Sequence, residues 1–456
     1  MVYVAPGLCK IKMHCSAEHL KYLKELISSC FLPALKEDLD NVPLSSEHFG
    51  SYRNALEIQL PILYDLLQQN RHWIFGREDQ ESYEVFANVI ILLCEINAAS
   101  TIYRLSNENI QRNANSILQE HTPVNIAAVE NIVFEFYQNK FKKDVWKKQL
   151  GSLHGFVRYL ELQYSSEKLP RRWVNFCLSV GLTVRESHEP TCKRIGILIF
   201  ALILQSGNFA YIQEQNIHGV IYESAIKDID FMDCAEAAAD VWKCLHKCLN
   251  FCKELSSFNW CQLDDLMEKA IKNVTMASNS QISLCNLQQV SKMAAHFAIN
   301  QQEIEACCEA VLNIPSSIEH CRNICATNNS YTIFRWAKSI LTMLNVESYK
   351  LMQEKEMSQK FLLEMHKCYL VCILPIDLQI IAPHLIPFLE KFTSVLMEVI
   401  ITHKLDFEII QIVKTILETF KHQLQHCPYT YESENFLKLN NALEKLLNHN
   451  IFVQNK

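Results

Sequence analysis

The sequence predicts an all-α fold, a superhelical array of antiparallel helix pairs of the degenerate HEAT or armadillo type. Two observations lead to this prediction. The 456 residues include only 9 glycines, none of them after Gly219, where average usage would give about 32. Apolar residues also recur at helical spacing from one end of the chain to the other. Tight β-turns need residues with positive φ, so this composition favours helices joined by short links.

The scarcity of glycine also excludes several classes of function. The dipeptides Asn-Gly, Asp-Gly and Gly-Gly do not occur, which argues against a sandwich, barrel or propeller of this length. The sequence contains no GxGxxG and no GxxxxGKS/T pattern, so Rossmann, P-loop and kinase-type phosphate loops are ruled out. HExxH and GxSxG are absent as well, because Gly151 and Gly155 flank Ser152 at the wrong spacing.

Four apolar stripes with helical spacing indicate amphipathic helices. In chain order their members are Trp146, Leu150, Leu153, Val157 and Leu160; Val241, Leu245, Cys248, Cys252 and Leu255; Leu385, Phe388, Leu389, Phe392 and Leu396; and Ile409, Ile412, Val413, Ile416, Leu417 and Phe420. Prolines fall mostly where helices are expected to begin or break. They are Pro33, Pro61, Pro123, Pro170, Pro190, Pro315, Pro375, Pro383 and Pro428. Together these signals predict roughly 18–20 helices with short links.

So many amphipathic helices suit a stack of helix pairs, since each pair needs only one buried face and a lateral contact. Repeats of ~40–47 residues would place about ten units in the chain. Tetratricopeptide repeats are disfavoured because their signature includes glycine. We expect an N-terminal helical region over 1–165 and a HEAT-like repeat region over 166–456, continuous with the first.

Charge and cysteine content bound the partners and the compartment. Lys and Arg number 43 against 50 Asp and Glu, a formal charge of −7, which gives no general attraction to nucleic acid or anionic membranes. The start of the chain lacks the apolar core of a signal peptide. The longest apolar run, Ile195–Leu204, falls well short of the ~20 residues of a spanning helix. We interpret the 19 cysteines as reduced and buried, and expect a cytoplasmic protein, with a nuclear pool left open.

Cysteines with a nearby histidine form the first candidate for a metal site. Cys244, Cys248 and Cys252 align along one predicted helix, with His246 between them and Cys234 close by. Structural zinc usually uses CxxC turns with a second pair of ligands, whereas these thiols continue an apolar stripe. Core packing is therefore the favoured interpretation over metal binding. It extends to three further groups: His320, Cys321 and Cys325; His366, Cys368 and Cys372; and the vicinal pair Cys307 and Cys308.

Asp264, Asp265 and Glu268 form the pattern closest to an enzyme motif. Carboxylates at this spacing on a helix can bind magnesium diphosphate, as in all-α isoprenoid synthases. Such enzymes need a second, facing carboxylate motif, which we do not find, and acidic residues also favour a helix start. Another acidic group is interpreted as a linker because it lacks the glycine and the terminal glutamate of a calcium loop. Its members are Asp228, Asp230 and Asp233.

The segment Lys140–Lys148 carries five lysines with Phe141 and Trp146. Lysines interleaved with aromatic residues can contact phosphates. Because Trp146 belongs to an apolar stripe, we interpret the lysines as a solvated helix face, with an acidic partner or nucleic acid as alternatives. The 17 histidines show no Ser/His/Asp or Cys/His context, which favours surface or core roles for them.

One stretch, from Leu169 to Ile226, carries a recognisable pattern: a turn with His and Pro, a Lys-x-x-Gly helix, and a segment leading into a further helix. Its matching residues are His188, Pro190, Lys193, Gly196, Asn216 and Val220. In this pattern the stretch resembles the central repeats of the Tel-two-interacting protein two family. From the residues themselves, we expect Pro190 to begin a helix and Gly196 to let two helices approach closely. Lys193 is expected to reach a carbonyl or an acidic group.

The resemblance implies a non-enzymatic scaffold subunit of a co-chaperone complex, with no catalytic, cofactor or metal residues. The implied partners are a larger HEAT-repeat subunit (Tti-one-like) and a Tel-two-like subunit. Together they support maturation and stability of phosphatidylinositol-3-kinase-related kinases, alongside the ninety-kilodalton heat-shock chaperone. Two alternatives stay open: a helical-repeat adaptor with a different protein cargo and, least favoured, an all-α magnesium-dependent diphosphate enzyme. The sequence does not identify the helical face that meets partners.

Overall fold

The computed structural model describes most of the chain, and every regular element among the described residues is helical. The described residues are 17–38, 41, 45–71, 79–98, 105–120, 126–143, 145–164, 168–231, 234–252, 260–277, 279–298, 331–353, 359–372, 387–398, 407–425 and 434–453. Within these ranges no strand occurs, so the predicted all-α class is confirmed for them. The chain forms two compact units, Met1–Ile221 and Tyr222–Lys456.

Helices α1 to α9 belong to the first unit. Their bounds are α1 Ala17–Cys30, α2 Gly50–Gln69, α3 Gln80–Asn97, α4 Glu108–Glu120, α5 Ile126–Lys140, α6 Leu150–Tyr164, α7 Arg171–Arg185, α8 Pro190–Gln205 and α9 Phe209–Glu214. Two short 3-10 helices, Ser46–Phe49 and Trp146–Lys148, precede α2 and α6. Helix α10, Ile217–Ala225, contains the division between the units.

Helices α7 and α8 form an antiparallel hairpin whose close approach depends on two glycines. A Cβ on Gly196 would lie 2.8 Å from the carbonyl oxygen of Gly181 and 2.8 Å from the Cβ of Arg185. A Cβ on Gly181 would lie 2.7 Å from the ring of Phe200. The predicted role of Gly196 is therefore confirmed: it allows two helix backbones to approach each other closely.

The start of α8 follows from its first residues. Pro190 is the first helical residue, where its missing N–H would have no partner in the helix anyway. The carboxylate of Glu189 caps the helix by accepting the backbone N–H of Cys192 at 2.8 Å. The helix start predicted at Pro190 is confirmed.

Aromatic side chains from α5, α6 and α7 form the centre of the first unit. Trp173 meets Phe134 edge-on at 4.8 Å, and Phe156 meets Tyr137 edge-on at 4.9 Å, centroid to centroid. Such pairs add roughly 0.5–1.5 kcal/mol beyond the area that they bury. The indole N–H of Trp173 donates to Glu130 at 2.6 Å, so the one polar atom of this buried ring is paired.

Helices α11 to α19 belong to the second unit, after the short 3-10 helix Ile229–Phe231. Their bounds are α11 Ala235–Leu249, α12 Gln262–Met276, α13 Ser280–Ala298, α14 Tyr331–Gln353, α15 Gln359–Cys372, α16 387–398, α17 Phe407–Gln425, α18 Glu434–Leu447 and α19 Asn450–Val453. The ring of Tyr369 in α15 meets Phe388 of α16 at 5.4 Å and Phe420 of α17 at 4.5 Å. One aromatic core therefore joins these three helices.

Helices α11 and α13, which are two positions apart in the chain, lie side by side and run parallel. The indole N–H of Trp242 donates to Asn286 at 2.9 Å, and one turn later Nε2 of His246 lies 2.9 Å from Oε1 of Gln289. Residue numbers increase in the same direction along both helices. The two contacts therefore fix the relative direction and register of α11 and α13.

Helices α12 and α14 repeat this arrangement. Trp336 donates to Asp264 at 2.9 Å near the starts of the two helices, and Lys350 donates to the Thr275 carbonyl at 2.6 Å near their ends. Helix α13 packs along α12 after a link of only 277–279, which makes this intervening pair antiparallel. Alternate helices in this region are thus parallel, and consecutive ones are antiparallel.

Two predictions about local structure need correction. The stripe from Trp146 to Leu160 is buried throughout, but it does not lie on one helix, because Trp146 sits in the 3-10 helix before α6. Pro61 lies inside α2 and neither begins nor breaks it. Pro61 and Glu57 are both exposed, so water can reach the Glu57 carbonyl, which loses its helical donor at Pro61.

The division of the chain into units and the position of its longest apolar run can also be compared with the sequence-based predictions. The units divide between Ile221 and Tyr222, whereas the predicted boundary between regions 1–165 and 166–456 stays a prediction. Ile195–Leu204 lies within α8, as expected for a buried helix. Among the described helices, none has the length and apolar character needed to cross a bilayer.

Replacing Gly196 with alanine should loosen the α7–α8 hairpin. The new Cβ would lie 2.8 Å from the Gly181 carbonyl oxygen, and overpacking of this kind costs roughly 1–3 kcal/mol. Gly50→Ala is the matched control, because a Cβ there meets nothing closer than the Arg53 side chain at 3.9 Å. It should be neutral or stabilising by up to about 1 kcal/mol. Urea unfolding followed by circular dichroism measures both, and equal midpoints would contradict the close approach.

Candidate functional site

Asp264, the first carboxylate of the predicted magnesium motif, is fully buried near the start of α12. Its Oδ1 accepts the indole N–H of Trp336 at 2.9 Å and lies 2.9 Å from Nε of Arg335. Its Oδ2 accepts the backbone N–H of Cys261 at 3.0 Å. Both oxygens are therefore engaged by donors of the fold itself. Asp264 joins the start of α14 to the start of α12.

The other two carboxylates of the motif have different surroundings. Asp265 is half-buried and accepts the indole N–H of Trp260 at 2.6 Å, while Glu268 is exposed. In the part of the chain that the structure describes, no three His, Cys, Asp or Glu side chains are placed to hold a metal ion. The structure thus places Asp264, Asp265 and Glu268 in three environments and does not bring them together around a cation.

Asp265 instead contacts an exposed aromatic residue that the sequence analysis missed, and Glu268 lies about one turn further along α12. Trp260 is 57% exposed, and its ring centroid lies 5.5 Å from that of the buried Trp336. We call Trp260, Asp265 and Glu268 the Trp260 surface. The signal in the sequence was a tryptophan directly before Cys261, the N-cap residue of an acidic helix start.

The α11 cysteines pack largely in the interior of the second unit. Cys244 and Cys248 are buried, Cys252 is partly buried and Cys234 is exposed. The hydrogen bond with Cys244, together with burial, raises the pKa of the Cys248 thiol far above its usual range, which keeps it protonated and unreactive. His246 faces a glutamine of α13 rather than a thiol. These contacts favour core packing.

The remaining predicted cysteine groups are described only in part. Cys368 and Cys372 are buried on α15, with their sulfur atoms 3.8 Å apart. None of the described cysteines forms a disulfide. The other members lie outside the described residues, namely the side chain of His366, and Cys307, Cys308, His320, Cys321 and Cys325.

The acidic group at the start of the second unit has a structural role. Asp228 is buried. Asp230 accepts hydrogen bonds from Lys269 at 2.5 Å and from Asn273 at 3.3 Å, and so fastens the 3-10 helix to α12. The hydrogen bonds from Lys269 and Asn273 lower the pKa of Asp230 although its partial burial opposes them. Asp233 lies outside the described residues.

The segment Lys140–Lys148 is not a single solvated helix face, which corrects the prediction. It runs from the end of α5 through a turn into the 3-10 helix before α6. Lys140 donates to a glutamine side chain at 3.1 Å, and Lys148 lies 4.0 Å from an aspartate that follows α1. Lys142 and Lys143 are exposed, as predicted. An acidic partner or nucleic acid for these two lysines stays a hypothesis.

The remaining residues of the family resemblance occupy local structural positions. Asn216 has a left-handed backbone with φ 51°, a conformation that asparagine tolerates. Its side-chain amide occupies the space that a Cβ on Gly219 would need, so this glycine makes room for it at the start of α10. His188 and Val220 are exposed and Lys193 is half-buried. The contact predicted for Lys193 stays a prediction.

A buried carboxylate at the centre of the first unit was also missed. Glu95 of α3 accepts the backbone N–H of Leu32 at 2.6 Å. Gly151 makes room for the carboxylate, and a Cβ on Gly155 would lie 3.0 Å from the Glu95 backbone. Burial raises the pKa of Glu95 to about 7, although the Leu32 N–H and the charge of Lys140 oppose this. The signal in the sequence was one carboxylate in an apolar helix and two glycines one turn apart.

Comparisons of the chain with protein-family models, with curated proteins and with solved structures find no match. The site residues are therefore interpreted from their own contacts.

The free energy of unfolding should fall as the pH rises through the pKa of Glu95. Burial raises this pKa from 4.5 to about 7, so the folded chain binds the proton more tightly than the unfolded chain. The stabilisation that protonated Glu95 contributes is complete below the pKa of this carboxyl in the unfolded chain. It is lost as the pH rises to the pKa of Glu95 in the folded chain. At ~1.4 kcal/mol per unit the loss amounts to roughly 3 kcal/mol. Glu95→Gln, which keeps an acceptor for the Leu32 N–H, should abolish it.

Urea unfolding of the parent and of Glu95→Gln, between about pH 4.5 and 8, measures this difference. The control is Glu81→Gln, a side chain that is 54% exposed at the start of the same helix. We expect the free energy of unfolding of the parent and of the control to show the same pH dependence, and that of Glu95→Gln to show a different one. A constant difference between the parent and Glu95→Gln across this range would show that Glu95 is not the titrating group.

Asp264→Asn should destabilise the second unit. The variant removes the charge opposite Arg335 and offers one acceptor oxygen where the parent uses two. We expect a loss of roughly 2–4 kcal/mol in the free energy of unfolding. Asp265→Asn, at a half-buried position where the amide oxygen can still accept the Trp260 N–H, should cost less than about 1 kcal/mol. Thermal unfolding compares the stabilities of the two variants. The enzyme hypothesis would instead be favoured if the parent binds magnesium diphosphate and Asp264→Asn removes this binding without loss of stability.

Proposed function

We propose that the chain is a non-enzymatic scaffold built from stacked helix pairs. The observation that carries the proposal is the parallel contact of alternate helices with antiparallel helices between them. Trp242 and His246 align α11 with α13, and Asp264 and Thr275 align α12 with α14. This is the local arrangement of a two-layer helical repeat, in which each pair packs on the next. It supports a superhelical, HEAT-like array.

The placement of the chemically capable side chains favours the same conclusion. Asp264 accepts hydrogen bonds from Trp336 and the Cys261 backbone and forms an ion pair with Arg335. Asp230 ties a 3-10 helix to α12. The thiols of Cys244 and Cys248 are buried. A catalytic acid, base or metal ligand must instead be able to reach a substrate. What these residues stabilise is the stack, whose long surfaces are suited to binding other proteins.

The resemblance of Leu169–Ile226 gives the proposal its specific form. The chain would act as a subunit of a co-chaperone complex, with a larger HEAT-repeat subunit and a Tel-two-like subunit as partners. The clients would be phosphatidylinositol-3-kinase-related kinases, in the cytoplasm or nucleus. Pro190 at the start of α8 and Gly196 within it are two of the residues on which the resemblance is based. The adaptor alternative uses the same fold and differs only in its cargo.

Affinity capture of the tagged full chain from cells, followed by mass spectrometry, tests this proposal. We expect both large partner subunits in near-equal amounts and client kinases in smaller amounts. The tag alone and a Gly196→Val variant, whose hairpin is overpacked, are the controls. Capture of a different cargo would favour the adaptor, and recovery of neither partner subunit nor any kinase of this class would reject the proposal.

A further inference from the structure

Trp260 is exposed, yet its side chain is held in one orientation. Its indole N–H donates to Asp265 at 2.6 Å, and its ring packs on Trp336 at 5.5 Å between centroids. Trp336 is itself fixed, because it is only 7% exposed and donates to Asp264 at 2.9 Å. An aromatic side chain ordered before a partner arrives loses little conformational entropy on binding. Tryptophan is also among the residues most enriched where interfaces gain most of their binding energy.

The surroundings of Trp260 determine the charge of the partner. Asp265 and Glu268 lie three residues apart on α12 and so share one face of the helix. The surface beside the indole is therefore anionic.

Two cations near the start of α12 are already paired with other carboxylates. Arg335 is paired with the buried Asp264 at 2.9 Å, and Lys269 is paired with Asp230 at 2.5 Å. Lys272 is exposed four residues beyond Glu268 on α12, and its charge helps to lower the pKa of Asp230. A phosphate, a nucleic acid or an anionic membrane would meet carboxylates beside the indole, whereas a basic segment would find them complementary.

We propose that the Trp260 surface docks an arginine-containing basic segment of a partner protein. The guanidinium stacks on the exposed face of Trp260, and its N–H groups donate to Asp265 and Glu268. Arginine suits the surface better than lysine, because its planar cation stacks on an aromatic ring and is more weakly hydrated. The inference rests on the proposed role as a protein-binding scaffold, but not on the identity of the complex.

Fluorescence polarisation with the full chain tests the inference. The probe is a labelled alanine peptide carrying two arginines, and matched peptides carry two lysines or two glutamates. We expect the arginine peptide to bind best, the lysine peptide more weakly and the glutamate peptide not at all. Binding should weaken as salt rises from about 50 to 200 mM, because the Debye length then shortens.

Trp260→Ala should weaken binding of the arginine peptide at least tenfold, and Glu268→Gln should weaken it several-fold. Met276→Ala is the control, since Met276 is 72% exposed at the other end of α12, and it should leave binding unchanged. Trp260→Phe keeps an aromatic ring on Trp336 and should retain part of the binding. It therefore provides the comparison should Trp260→Ala unfold, which circular dichroism would detect.

Three results of the binding experiments would overturn the inference. They are the absence of arginine-peptide binding by the parent at about 1 mM, equal binding by Trp260→Ala and the control, and preference for the glutamate peptide. A dimer that dissociates in Trp260→Ala, seen by sedimentation, would also overturn it, because the occupant would then be a second copy. Peptide binding without capture of the co-chaperone subunits would reject the proposed function but leave this surface supported.

Discussion

The burial of one carboxylate, Asp264, is the interaction on which the second unit depends most. Taking a charge out of water is unfavourable unless donors replace the water. Here Trp336 and the Cys261 backbone donate hydrogen bonds, and the Arg335 guanidinium lies 2.9 Å away as an ion-pair partner. These partners come from α14 and from the residue before α12, so the carboxylate joins the two segments. The same network fixes the position of Trp336, against which the exposed Trp260 rests.

The first unit also contains a buried carboxylate, Glu95, whose surroundings differ from those of Asp264. Glu95 is buried with a single backbone donor, Leu32, and the space for its carboxylate exists because α6 has a glycine at position 151. Gly181 and Gly196 likewise serve the contact of α7 with α8. In a chain with only 9 glycines, these residues serve helix–helix contact rather than turns. The composition that predicts helices thus leaves glycine where helix backbones come closest.

The sequence predicts those features that depend on neighbouring residues. Apolar spacing predicts buried helix faces, and in α17 Val413 and Phe420 are both fully buried. Pro190 marks a helix start because its geometry is local. Features that depend on distant residues are not predictable in this way. Asp264 has the spacing of a metal ligand, and only its contact with Trp336, 72 residues away, reveals its structural role.

The predictions made for Pro61 and Trp146 were wrong for a related reason. Helix α2 continues through Pro61 because that face of the helix is exposed. Trp146 is buried but belongs to a 3-10 helix, and the spacing of apolar residues does not distinguish this short helix from the start of α6. In both cases packing decides what local propensity leaves open. Glu95 was missed because a lone carboxylate in an apolar helix has meaning only when the facing helix is known.

The difference between an active site and a binding surface also follows from where charge is placed. Chemistry needs a group whose protonation or coordination can change while the fold persists. Asp264 is buried, and its contacts with Trp336 and Arg335 join α12 to α14. Asp265 and Glu268 of the same helix take no part in that contact, since Asp265 is half-buried against Trp260 and Glu268 is exposed. One acidic helix start therefore stabilises the interior through Asp264, and it leaves Asp265 and Glu268 for the arginine recognition that we propose.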